Sequence, residues 1–330
     1  MEIRDYLIRI IRASYRWITG AHFYGPECVC DRQKANDMIF KLLETGKPCM
    51  IARFGTVEIN CINNYLTVSS SKSYLKKIKE YITDNTHTPW WNKDHFKPMM
   101  INAGIFPMSV QTAVLFSKRN LEDIPQIDIL ACHQYFEKFM PLRQDVERIQ
   151  LEMLYPFFVE RPWTRALAGK KILVVHPFTD TIKKQYDRKD EVFPQKILPE
   201  FELITYKAVQ SAGSADSGFN SWFEALNHME SEISKIDFDI CILGCGAYGL
   251  PLAAYIKRMG KQAIHMGGAT QLLFGIKGRR WLEDYKGFWH YRPGIDIDLN
   301  YRKLFNDAWV FPDSSEKPKD ASKVENACYW

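Results

Sequence analysis

The chain has 330 residues, 46% of them hydrophobic and 25% charged, with a formal net charge of +5. That is enough apolar material for a sizeable core, which excludes a mainly disordered chain, and eight cysteines over this length are too dilute for a disulfide scaffold. A pI near 8.6 is too mild for a nucleic-acid binder and suits an anionic small ligand or an anionic membrane surface.

In chain order, the first stretch places Ile3, Leu7, Ile10, Ile11, Trp17 and Ile18 on one helical face and Arg9, Arg12 and Arg16 on the other. Such a helix packs its apolar face on its own domain or lies on an anionic bilayer. It lacks the continuous apolar core and cleavage site of a signal peptide, and no run of eighteen apolar residues predicts a transmembrane helix. A reducing cytoplasm is the expected compartment, with peripheral contact at the inner face of the membrane. Lys34 to Leu43 then reads as a helix, Met50 to Phe54 as a strand ending at Gly55, Val57 to Leu66 as a helix and Ile127 to Cys132 as a strand.

The second half alternates more cleanly. Lys171 to Val175 is a β-branched strand stopped at His176-Pro177, and Thr179 or Asp180 is placed to cap the next helix. Phe201 to Tyr206 is a strand, Phe219 to Ile236 a helix, and Asp239 to Leu243 a strand buried on both faces. Leu250 to Met259 is a helix ended by Gly260, and Gln262 to Met266 is a further strand. This alternation predicts an α/β, Rossmann-like fold with a mostly parallel sheet. The expected organisation is a helix and linker over 1–32, one compact unit over 33–311 with a possible division into two lobes near 169, and a loose polar tail over 312–330.

Four segments hold candidate chemistry. Gly244-Cys-Gly246-Ala-Tyr248-Gly249 follows a strand and opens a helix, the setting in which backbone N–H groups meet a phosphate. The same glycines also suit tight helix–sheet packing. No Asp or Glu occurs between Leu250 and Leu282 to hold a ribose, so NAD and flavin are not expected. Arg53-Phe-Gly55-Thr56-Val-Glu58 puts a cation and a carboxylate at a strand end, as ligand, base or metal site, or as a plain ion pair. His176 with Asp180 and Lys183 reads as an anion pocket, although a lone histidine is also an ordinary structural residue. His265, Gly267, Gly268 and Gln271, followed by Arg279 and Arg280, make a glycine turn and a basic cluster for a diphosphate, or else a solvated loop. The cysteines form no pair of CxxC motifs, so zinc is not expected, and Cys241 and Cys245 read as small buried hydrophobes.

The run Ile51-Ala-Arg-Phe-Gly-Thr-Val-Glu58 resembles the RFGDGE signature of GT-D-type glycosyltransferases, and the block from Asp239 to Gly268 is similar to that group's late strand–turn–helix–strand unit. The stretch Ile172 to Tyr186 and the block Gly267 to Trp281 also look like bacterial proteins of polysaccharide assembly. The resemblance, over roughly residues 35 to 285, implies transfer of a sugar from a nucleotide-sugar to a glycan or lipid-linked glycan in bacterial surface-polysaccharide biosynthesis. For such a transfer the sequence itself offers Glu58, Asp180 and His176 as base or metal ligand, with Arg53, Gly55, Thr56, Lys183, Gly244, Gly246, Tyr248, Gly249, His265, Gly267, Gly268, Gln271, Arg279 and Arg280 around the donor. Trp90 and Trp91 are further candidates for stacking on base or sugar. The family aspartate is replaced by Thr56, a poor Mn²⁺ or Mg²⁺ ligand, leaving Glu58 as the one carried-over metal carboxylate. The competing expectations are a non-catalytic nucleotide-binding regulator or scaffold of the same fold, and a Rossmann oxidoreductase or methyltransferase. Homo-oligomerisation is compatible with all of them.

Overall fold

The computed structural model describes residues 3–20, 24–214, 216–282, 300–317, 321–324 and 327–330. The stretch 283–299, inside the expected unit of 33–311, lies outside the described residues, as do 318–320 and 325–326 of the tail. In chain order the helices are α1 (Ile3–Thr19), α2 (Arg32–Glu44), α3 (Thr56–Ser69), α4 (Tyr74–Ile82), α5 (Phe96–Ile101), α6 (Val110–Asp123), α7 (Thr179–Tyr186), α8 (Lys189–Val192), α9 (Trp222–Ile233) and α10 (Gly249–Arg258). The strands are β1 (Cys49–Ala52), β2 (Ile129–Cys132), β3 (Glu147–Gln150), β4 (Lys171–His176), β5 (Glu202–Lys207), β6 (Ile240–Leu243) and β7 (Gln262–His265).

They form a seven-stranded sheet in the order β3-β2-β1-β7-β6-β4-β5, with every pairing parallel. The reason is in the strands themselves. Cys49–Ala52, Ile240–Leu243 and Gln262–His265 are buried on both faces, which only a sheet covered by helices on each side allows. Alternate residues feed two cores. Ile51, Ile129, Val174, Ile242 and Ile264 point to one with α2 and α7, while Met50, Leu130, Val175, Cys241 and Ala263 point to the other with α3, α6, α9 and α10. The expected boundary near residue 169 falls inside this sheet, since β4 joins it two residues later and β7 pairs with β1.

Two expectations are corrected. The described residues of the tail are not loose: Ala321, Val324 and Cys328 are buried, and the Cys328 carbonyl accepts from the Arg280 amide at 3.0 Å. The expectation that α1 packs its apolar face on its own domain is corrected as well, since Ile3, Leu7, Ile10, Ile11, Trp17 and Ile18 are exposed. The helix docks on α4 with its basic face inward. Arg12 and Arg16 both donate to the buried Asp84 carboxylate, and Arg9 reaches Asn92 and Asp94 at 3.0 Å.

Candidate functional site

In open α/β sheets, ligands sit beyond the carboxyl ends of strands where neighbouring connections part. Here β4 leads outward to β5 through α7, and β6 leads inward to β7 through α10, on the opposite face of the sheet. Between the ends of β4 and β6 lies a cavity of about 130 Å³. His176, Gly244, Gly246 and Tyr248 line one side of it, and Gly268, Gln271, Tyr329 and Trp330 another. Six of the residues expected at the donor or in catalysis are therefore together.

The turn after β6 divides its glycines by task. A Cβ on Gly244 would run into the His176 ring and Thr270, and one on Gly249 into the His265 ring. These two glycines exist for close packing. Gly246, at φ +59° with open space around it, faces the cavity. The expected phosphate cradle at the helix mouth is also poorer than its spacing implies. The Gly249 amide already donates to the Gly246 carbonyl, and Pro251 has no N–H. Tyr248 bonds Ser211 at 2.8 Å and stacks at 9° on Trp222, 5.1 Å between centroids, so one ring face is already covered.

The histidines that end β4 and β7 are both buried. His176 is buried, its Nδ1 accepts from the Phe178 amide at 3.0 Å, and burial pushes its pKa down to about 3. His265 is likewise held down to about 3 by burial, helped by Arg53. Neither gains a proton near neutrality, so an acid–base role for His176 is not supported. Asp180 and Lys183 are exposed on α7, and neither lines the cavity. The anion expected there is present, but it belongs to the chain. Glu316 accepts from the amides of Asp180 (2.8 Å) and Thr181 (3.2 Å) and from the Thr181 hydroxyl, so it caps α7 in place of Thr179 or Asp180.

A second polar cluster lies at the ends of β1 and β2. The buried Glu137 takes the His133 amide on both carboxylate oxygens (3.2 and 3.0 Å), and its Oε1 stands 3.4 Å from His133 Nδ1. The His133 Nε2 faces Arg53 Nη2 at 3.4 Å. A guanidinium only donates, so Nε2 is the accepting nitrogen and the ring proton lies on the Glu137 side. Burial raises the Glu137 pKa to about 8 against the pull of the Gln134 and His133 amides. The result is a buried pair that holds Arg53 from behind. Gly267 (φ +64°) is the neighbour of Arg53 on β7's side, its notional Cβ 3.6 Å from Arg53 Cδ, while Gly268 faces the cavity. The Gly267-Gly268 turn thus separates the cavity from Arg53.

Glu58 folds its carboxylate back over Gly55, the residue that caps α3, and Thr56 Oγ1 accepts from Gln134 Nε2 at 2.8 Å. Among the described residues no group of three or more His, Cys, Asp or Glu could hold a metal ion. Glu58, a hydroxyl already engaged and the cation Arg53 do not make a divalent-cation donor set, and no step below runs through a metal. Arg280 lies over the Tyr329 ring at 4.9 Å and donates to its hydroxyl at 3.3 Å, so it holds the tail, and Arg279 is exposed. Trp90 packs edge-on against Tyr81 and Trp91 against Tyr65, outside the cavity lining.

Sequence reasoning missed His133, Glu137, Glu316, Tyr329 and Trp330. His133 had a signal, since it ends a strand as His176 and His265 do. Two cavity residues keep a buried polar atom without a partner among the described residues, Gln271 Oε1 and Trp330 Nε1. Compared with protein-family models, with curated proteins and with solved structures, the chain matches none.

Proposed function

We propose that this protein is a glycosyltransferase that takes its sugar from a nucleotide-sugar. What supports the reading is one arrangement: a cavity with unpartnered Gln271 Oε1 and Trp330 Nε1, set across the Gly267-Gly268 turn from the buttressed Arg53. The motifs that resemble GT-D enzymes fall on these two places, the Arg53–Glu58 run on one and the Gly244–Gly249 turn on the other. In this reading the nucleotide enters the cavity and, as Trp330 shifts, meets Gln271 Oε1 and Trp330 Nε1, both buried from solvent in this structure, as an acceptor and a donor. The diphosphate then runs along the strand ends to Arg53, whose fixed charge stabilises the leaving group without reorganising. Glu58, the half-buried carboxylate folded over Gly55 at the start of α3, receives the proton of the acceptor hydroxyl. A cavity of this size takes one ring system, so the tail residues Tyr329 and Trp330 shift when a whole donor binds. The acceptor is a glycan, lipid-linked and reached from the cytoplasmic side of a membrane that the protein touches peripherally.

The test is incubation with UDP-, GDP- and CMP-sugars, with and without Mn²⁺, reading thermal shift and nucleotide release. Stabilisation and release by one sugar class support the proposal. Stabilisation by NAD or S-adenosylmethionine alone overturns it, and stabilisation without release under any acceptor leaves the non-catalytic binding reading in its place.

A further inference from the structure

Amphipathic helices on globular proteins turn their apolar stripe inward. α1 does the reverse. Its inward face is Asp5, Ile8, Arg9, Arg12 and Arg16, tied to Asp84, Asn92 and Asp94. Its outward face is Ile3, Tyr6, Leu7, Ile10, Ile11, Trp17 and Ile18, all exposed, with Trp17 at 85% and Ile3 at 82%. On a helix these outward positions fall within one continuous sector, in which Ser14 is the sole polar residue. Its border with α4 is also exposed. Arg4 lies 5.3 Å above the Tyr74 ring, and the next residue, Leu75, is 79% exposed. Among the described residues nothing covers this surface. A soluble monomer does not leave so many large aliphatics contiguous in water, since exposed patches of this kind mark interaction sites.

We infer that this face is a membrane-docking surface, on which α1 lies in the plane of an anionic bilayer with its apolar side among the acyl chains. Two observations select a bilayer over a second protein, and a third fixes the orientation it would impose. The face offers no polar pattern for a partner to pair with, only a hydrocarbon surface with Trp17 at one end and Tyr6 and Tyr74 at its borders, the amphipathic rings that suit a headgroup layer. The charges at its edge are Arg4, which also meets Asp5 at 3.4 Å, and the exposed Lys76, and among the described residues no acidic one lies on α1's outward face. The three arginines that a free amphipathic helix would offer to lipid are instead spent on Asp84 and its neighbours. They fix the helix to the body, so docking of the helix sets the orientation of the whole molecule. This extends the peripheral placement proposed above and does not depend on the sugar chemistry.

The experiment is flotation of the full chain with vesicles of neutral phosphatidylcholine and of phosphatidylcholine with one-quarter phosphatidylglycerol, at low and high salt. Mass by light scattering is measured on the same samples without lipid, and thermal shift with nucleotide-sugars is recorded separately. The chain is expected to float with anionic vesicles, less with neutral ones and less at high salt. Leu7→Glu with Ile10→Glu, and the milder Trp17→Ala, should reduce flotation at least tenfold and about threefold, with the melting temperature held because the positions are exposed. Flotation of the glutamate variant at the wild-type level overturns the inference. So does a wild-type chain that stays soluble at low salt, including one that is a dimer converted to monomer by the same substitutions, which would assign the face to a second copy. A floating protein that ignores every nucleotide-sugar defeats the transferase reading and leaves this one standing.

Discussion

Gly249 has no side chain because the His265 ring stands where a Cβ would go, whereas Gly246 has none because its backbone is left-handed and its neighbours are absent. The same residue type therefore answers two demands in one turn, and substitution separates them. Gly249→Ala should lower stability by about 1–3 kcal/mol through overpacking against a fixed ring. Gly246→Ala should cost about 1 kcal/mol for its left-handed backbone, and Gly246→Val should weaken nucleotide binding more than it lowers the melting temperature. Chemical denaturation and nucleotide titration of the three variants check this, and equal losses of binding at Gly246 and Gly249 would defeat it. The spacing of the glycines was plain in the sequence. Their division of labour was not, because the ring that presses on Gly249 arrives from a strand thirteen residues later.

At the level of elements, six of the seven strands were read from short apolar or β-branched stretches, and for those the predicted and observed ends agree within a few residues. What hid was everything set by distant partners. The cap of α7 was sought in Thr179 and Asp180, the residues beside it, and comes from Glu316, about 130 residues away. Glu316→Ala should destabilise by about 1–2 kcal/mol and free the tail, read as faster hydrogen exchange over 321–330. Unchanged exchange there would show that the cap and the tail are independent. The strand β3 was missed because Glu147-Arg-Ile-Gln150 has a polar, half-exposed start at the sheet edge. The Arg53 cluster was half legible, since its cation stood in a motif while its buttress, Glu137, lay in an unremarked aromatic stretch. Under the proposed function Glu58 has two separable duties. Its carboxylate, folded over the cap of α3, is placed as in a capping box, so Glu58→Ala should lose about 1 kcal/mol together with turnover. Glu58→Gln should keep the melting temperature and lose turnover alone. Full activity in the glutamine variant would leave capping as its one role.

Across the whole molecule, buried ionisable groups set how folding responds to pH. Burial depresses His87, His176 and His265 to about 3 from an ordinary 6.5. The unfolded chain therefore binds these protons first, so the stability they contribute is full above about pH 6.5 and is lost as pH falls toward 3. Glu137 runs the other way. Raised from 4.5 to about 8, it favours the folded chain at low pH, and that advantage fades as pH rises through 8. Three groups outweigh one, so the melting temperature should drop between pH 6.5 and 4.5, before ordinary carboxylates titrate. A flat profile over that window would mean that the rings are solvated.

The strand order has a consequence in time. Taking β7 out of the series leaves two separate half-sheets, β3-β2-β1 and β6-β4-β5, each with a bare apolar edge. β7 is the last of the seven strands to leave the ribosome, yet it is the one both edges wait for. The β1 edge stays open until β7 is made, a template for mispairing with other chains, whereas the β6 edge is made only about twenty residues before β7. The sheet closes in one late event that joins Cys49–Ile51 to residues more than two hundred positions downstream.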